Sequence, residues 1–254
     1  MGKGIDIGWF STGRDRAARE LLRGTWDAIS KKEIEGSIRF VFCNREKGEE
    51  RKSDDFIELV RSLHLPLISL SSRRYKESDY HQKVEELLSD FAPDIYFLCG
   101  YMLMVGKEIY GRHTTLNLHP SLPSGPPGTW EEVMLRIISD RIYKSGVMIH
   151  LVTSDLDQGP PLSCCSFSLR GEPFDKYWPD VYEKAEVNVN HPLFSLIREY
   201  ELSHELPLIK ATLNALSQGR IRIKEGKVVD DQRKPVSGLD LTEEVDARLA
   251  LFRP

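Results

Sequence analysis

Apolar residues along this chain gather into short unbroken runs, and longer stretches with three-to-four-residue spacing separate them. Ile5 to Ser11 (IDIGWFS), Ile38 to Asn44 (IRFVFCN), Leu65 to Leu70 (LPLISL) and Asp94 to Gly100 (DIYFLCG) are such runs. Each has the length of a strand, and their continuous apolar character suits strands covered on both faces. Between them, Ala17, Leu21, Leu22, Trp26 and Ile29 form a helical stripe, KGEERKSDDFIELVRSLH contains a second helix, and SDYHQKVEELLSDFAP makes a third. Ser78 is placed to N-cap that third helix and Pro93 lies just past its end. Strands alternating with helices predict parallel βαβ units, hence an α/β fold with a Rossmann-like, doubly wound, mostly parallel sheet.

The same pattern extends further. Thr129 and Glu132 form a capping box ahead of EEVMLRIISD, and Val147–Val152 and Pro161–Leu169 read as strands joined by an Asp155–Pro160 turn. A long helix through LPLIKATLNALSQ ends with Gly219 at C′, and IRIKEGKVV is a hairpin turning at Glu225-Gly226. Leu241 to Pro254 is a peripheral helix or tail. With no repeat or Pro/Ser-rich linker, one domain over 1–240 with a tail at 241–254 is the economical division.

Composition narrows the class. Of 254 residues, 40% are apolar and 29% charged, with net charge −4, ordinary values for a soluble globular protein. Nothing in that balance recommends a nucleic-acid or anionic-membrane partner. No apolar run approaches the roughly 20 residues of a membrane span. The N-terminus has no signal-peptide layout, and Gly2 begins a myristoylation motif that Asp6 then breaks. Cys43, Cys99, Cys164 and Cys165 show no metal-ligand spacing, so they are expected to be reduced core residues of a cytoplasmic protein with no metal.

The chemistry is concentrated between Thr114 and Pro160. Asn117 and His119 lie two apart in an apolar, β-branched run, so on a strand both side chains leave one face. Pro120 ends that strand and opens a Gly/Pro-rich loop, at the sheet edge where ligands bind in open α/β folds. A second strand, VMIHLV, then leads into SDLDQGP, which can bring Asp157 beside the pair. Amide, imidazole and carboxylate without a companion nucleophile suit acyl transfer from an activated donor to an incoming amine.

These segments, N-L-H-P-S-L-P, G-V-M-I-H-L-V and D-L-D-Q-G-P, resemble in order and spacing the signature of folate-dependent formyltransferases. QGRIRIKEGKVVDDQRKPVSG is similar to the tail of the phosphoribosylglycinamide formyltransferases; overall the likeness covers about 1–170 and 205–240. The resemblance implies that Asn117, His119 and Asp157 are catalytic, with His150 close by. It implies that Tyr101, Met102, Leu103, Met104 and Val105 form the hinge lining a pterin pocket, Leu103 standing where an Arg is common. Asp155 becomes a secondary folate contact. It also implies 10-formyltetrahydrofolate as co-substrate and a phosphorylated amine, glycinamide ribonucleotide of purine biosynthesis, as acceptor.

The family holds the acceptor's phosphate with Gly-Ser-Asn between the first strand and helix, where free N–H groups and the helix dipole favour anions. Here the stretch is Ser11-Thr12-Gly13-Arg14-Asp15-Arg16, so Ser11, Thr12, Gly13, Arg14 and Arg16 are the expected phosphate donors. The segment 171–205 is also atypical. Its Phe174, Tyr177, Trp178 and Tyr182 either cover the sheet or form a lid, and Glu201 and His204 fall near the family's acidic ribose contact. These departures keep two rivals in view, an amino-sugar-nucleotide N-formyltransferase and a non-catalytic folate- or nucleotide-binding protein. Small molecules are the expected partners, and the oligomeric state is open, a homodimer included.

Overall fold

The computed structural model describes residues 4–183 and 187–251. Gly2, the end of the tail at 252–254, and 184–186 within the atypical segment lie outside the described residues. β1 (Ile5–Ser11), α1 (Arg16–Ser30), β2 (Gly36–Cys43), α2 (Arg51–Ser62), β3 (Leu67–Ser69), α3 (Glu77–Leu88) and β4 (Ile95–Leu98) alternate as the apolar spacing predicts. After α4 (Lys107–Tyr110) come β5 (Thr115–His119), α5 (Trp130–Ser139), β6 (Lys144–Leu151), β7 (Pro161–Ser168) and α6 (Trp178–Glu183). The chain closes with α7 (Pro192–Ser217), β8 (Ile221–Lys224), β9 (Lys227–Asp230), β10 (Leu239–Asp240) and α8 (Thr242–Ala250).

Eight strands form one sheet in the order β10-β7-β6-β5-β4-β1-β2-β3. β1 to β5 run parallel, whereas β6 is antiparallel to both β5 and β7. The sheet is buried on both faces because its strands are apolar at odd and even positions alike. Ile7, Trp9, Val41, Cys43, Ile95 and Phe97 face one core, shared with α1, α2 and α7. Phe10, Phe40, Phe42, Tyr96 and Leu98 face another, shared with α3 and α4.

The capping box at Thr129 and Glu132 is present. Gly219 (φ +71°) follows the end of α7, and Glu225 and Gly226 both carry the positive φ of a tight hairpin turn. One cap differs from expectation. Ser78 lies inside the first turn of α3, its hydroxyl donating to Asp79 at 2.8 Å, and Lys76 occupies the cap position without a side-chain bond. The cause is an earlier helix start, at Glu77, than the serine suggests.

The atypical segment covers core. Phe174 and Trp178 are each 1% exposed and pack with α5 and the first turns of α7, the Trp178 indole N–H donating to the Leu169 carbonyl at 2.7 Å. Tyr182 stays exposed. α7 runs 26 residues through Pro207, so its first half packs in this satellite core and its second half under the main sheet. α8 lies on α7 and β7, with Leu241 and Val245 buried in the main core. Among the described residues no helix is long and apolar enough to cross a membrane.

Candidate active site

β5 and β6 pair so that Asn117 stands opposite His150 and His119 opposite Met148. The alternation of the pleat therefore sends Asn117, His119 and His150 to one neighbourhood at the carboxyl end of β5. Asp157 reaches it from the turn after β6, where its backbone takes the left-handed conformation (φ +53°), which Asp tolerates better than most residues. Gly159 lets that turn fold back onto the strand, since a Cβ there would lie 1.7 Å from the Leu151 carbonyl oxygen. Leu151 in turn donates its N–H to Pro160 O at 2.9 Å, closing the loop that carries Asp157.

The resulting network leaves little choice of tautomer. His150 Nδ1 lies 2.9 Å from Leu151 O and must donate to it, so its Nε2 is a lone pair and accepts from Asn117 Nδ2 at 3.2 Å. The other Asn117 Nδ2 proton goes to Asp157 Oδ1, also 3.2 Å away. Asp157 Oδ2 accepts from the Gly128 N–H at 3.1 Å. Gly128 adopts φ +115°, and a Cβ on it would come 2.7 Å from the Glu132 carboxylate that caps α5. His119 donates Nε2–H to Pro126 O at 3.0 Å, which leaves its Nδ1 lone pair 3.6 Å from Asp157 Oδ2.

His119 Nδ1 and Asp157 Oδ2 are thus two acceptors facing one another, a place where an arriving proton is stabilised from both sides. Burial lowers the His119 pKa below its ordinary 6.5, and the Asp157 charge and Pro126 carbonyl only partly oppose this. Burial pushes the Asp157 carboxyl up, but the positive charge that the His150 and His119 rings carry once protonated, together with the Gly128 amide, outweighs it and holds the carboxyl below the usual carboxylate range. Both groups therefore sit in their basic forms at neutral pH. Because both pKa values are depressed by folding, the stability they contribute is present above their unfolded values and lost as pH falls through the folded ones. An NMR titration of the His119 ring should give a midpoint below 6.5; one at or above that value would mean that burial does not control this imidazole.

These side chains line a cleft of about 320 Å³, a size that suits small-molecule ligands. Tyr101, Met102, Leu103, Met104, Val105, His150 and Asp155 all line it with the Asn117, His119 and Asp157 corner. Met102 and Met104 are exposed at the mouth, while Leu103 and Val105 pack on the α3-side core. Asp155 is exposed, its amide held by the Thr153 hydroxyl at 3.3 Å.

Of the loop after β1, Asp15 lines the cleft. Ser11, Thr12, Gly13, Arg14 and Arg16 are not among the residues lining the cleft. Ser11 and Thr12 are buried, and the Thr12 hydroxyl accepts from the Met102 N–H at 2.9 Å, fixing the hinge. Arg14 reaches Glu131 at 3.4 Å, and Arg16 pairs with Glu20 in a groove between α1 and α2. Among the lining residues to which sequence reasoning assigned no site role are Asp15, Arg198 and Glu205, and Trp130, which could equally have stapled its helix, lines the cleft as well. Trp130 both lines the cleft and packs on Phe194, with the Arg198 guanidinium 4.8 Å over its ring. Glu201 is fully buried against Ser145 and Arg198, while Glu205, one helical turn on, faces the cleft. His204 packs against Phe167, their ring centroids 4.6 Å apart and the planes tilted by 34°. The i,i+4 spacing of Glu201 and Glu205 was visible in the sequence, but which one faces the cleft depends on how α7 packs.

A family model described as formyl transferase matches residues 17–167, more than half of the chain. The chain belongs to the formyl transferase family. Solved structures agree on the fold of this formyl transferase. A glycinamide ribonucleotide transformylase 1 from Symbiobacterium toebii superposes with TM-score 0.69 at 19% identity, covering 90% of this chain and 94% of that one. The phosphoribosylglycinamide formyltransferase of Coxiella burnetii, in complex with CHES, gives 0.71 at 18% identity, covering 94% and 99%. A formyltetrahydrofolate deformylase from Pseudomonas syringae pv. tomato gives 0.66 at 16% identity, covering 90% of this formyl transferase and 66% of its own chain. No curated protein matches the sequence.

Proposed function

We propose that this formyl transferase moves a formyl group from 10-formyltetrahydrofolate to a primary amine. The observation that carries the reading is the convergence of Asn117, His119 and Asp157, from β5 and the turn after β6, at one wall of an apolar-lined cleft. The backbone of 101–105 would hold the pterin, with Asp155 at the folate's other side. The amine lone pair attacks the formyl carbon, a C–N bond forms and the carbonyl becomes an oxyanion. The amine proton passes, directly or through water, to the Asp157/His119 pair, whose facing acceptor atoms are ready for it. As Asp157 loses its negative charge, its hold on Asn117 Nδ2 weakens and that N–H turns to the oxyanion. Collapse then breaks the bond to N10, which takes a proton as tetrahydrofolate leaves.

Glycinamide ribonucleotide, named for the neighbouring structures above, is the first acceptor to test, and placement in purine biosynthesis and the cytoplasm rests on it. One observation favours a second reading, an amine without a phosphate: the acidic side chain of Asp15, and neither loop arginine, lines the cleft beside the loop after β1. Incubation with 10-formyltetrahydrofolate and a panel of phosphorylated and sugar amines decides the reaction class. Tetrahydrofolate should appear only with an amine present. Release with water alone would mean hydrolysis, and no release would leave a binding protein.

A further inference from the structure

The first turn of α1 is where an anion would be expected to dock, yet an acidic residue occupies it. Asp15 is the N-cap, its Oδ1 accepting from the Ala18 N–H at 2.8 Å, and it lines the cleft together with Ala17 and Ala18. Two backbone donors ahead of Asp15 are turned into the protein. Thr12 N–H goes to Gly100 O at 3.0 Å and Gly13 N–H to Ser11 Oγ at 3.2 Å. The two loop arginines lean on Glu131 and Glu20, outside the cleft.

The charges that do line the cleft have the wrong sign for a phosphate. They are the carboxyls of Asp15, Glu132, Asp155, Asp157 and Glu205, against the single guanidinium of Arg198. Arg198 is already matched, lying 2.9 Å from Glu205 and 3.6 Å from the fully buried Glu201. Glu205 is 5% exposed, and it and Asp15 line the same cleft. An ionised carboxylate only accepts hydrogen bonds. Whatever group of the acceptor reaches Asp15 must therefore donate.

We propose that Asp15 is a specificity-determining residue: it excludes a phosphate from the acceptor side of the cleft and selects a primary amine whose body offers a hydroxyl or ammonium there. This rests on the formyl-transfer reading and names the acceptor class for it. Asp15→Asn is the informative variant, because the asparagine side chain still caps Ala18 N while the charge is gone. Should it fail to fold, Asp15→Ser also keeps a cap.

Two measurements test the proposal. In transfer assays with 10-formyltetrahydrofolate, glycinamide riboside should exceed glycinamide ribonucleotide in kcat/KM by about a hundredfold or more, the scale expected when like charges are juxtaposed. Asp15→Asn should close most of that gap by improving the ribonucleotide. A 2-amino sugar and a linear diamine then separate hydroxyl from ammonium as the preferred donor. In calorimetric titration, inorganic phosphate should give no binding to the wild type and measurable binding to Asp15→Asn. A wild type that prefers the ribonucleotide, or that binds phosphate as well as the variant does, overturns the proposal. If no amine is formylated while phosphate still distinguishes the two proteins, the formyl-transfer reading falls and the charge exclusion at Asp15 stands.

Discussion

Asp157→Asn is expected to lower kcat for formyl transfer by about 10²–10⁴-fold, the range for loss of a positioned general base. Asparagine is the sharper replacement than alanine because it tolerates the left-handed backbone at this position and occupies nearly the same volume. What it removes is the acceptor atom facing His119 Nδ1 and the charge that would stabilise a protonated imidazole there. An NH₂ placed toward the Asn117 amide or the Gly128 N–H would also oppose a donor with a donor. The fall should appear in kcat, with KM for the folate changed little, since on the proposed reading the backbone of 101–105, not Asp157, holds the pterin. A melting temperature close to wild type would show that chemistry rather than folding was lost. Turnover within about threefold of wild type, well short of a general-base loss, would remove Asp157 from the mechanism.

Asn117→Ala should cost about 10²–10³ in kcat, as removal of one oxyanion donor does. Two resting contacts disappear with it, one to His150 Nε2 and one to Asp157 Oδ1, and both acceptors are left facing the vacated space. Asp157 would then be held only by Gly128 and its contacts with the two rings. Steady-state kinetics separates these effects. Loss of oxyanion stabilisation lowers kcat and kcat/KM together, whereas a merely displaced folate raises KM with kcat retained. The second pattern would assign Asn117 to binding instead.

Much of the architecture could be read directly from side-chain order. Strand and helix alternation from Ile5 to Leu98 was legible because buried parallel strands require apolar residues at every position and covering helices require a stripe. The capping box, the C′ glycine and the hairpin turn were legible too, since each is set by residues within a few positions of one another. The pairing of Asn117 and His119 on one face needed only the two-residue period of a strand. Ser78 marks the limit of such local reasoning. A serine is a good cap, but the packing of Tyr80, Val84 and Leu88 sets where α3 begins.

What the order of residues determined about this protein is therefore the sheet, its family and the side chains available for chemistry. Only the tertiary structure decided which of them share a space and where their hydrogen bonds are already spent. It turned Ser11 and Thr12 inward and drew Arg14 and Arg16 to acids outside the cleft. It also brought Asp15 from the first helix into the cleft with Arg198 and Glu205 from the seventh. Local patterns follow from contacts a few residues apart, whereas the charge balance of a cleft sums groups from distant elements, and only packing of the whole chain brings those together.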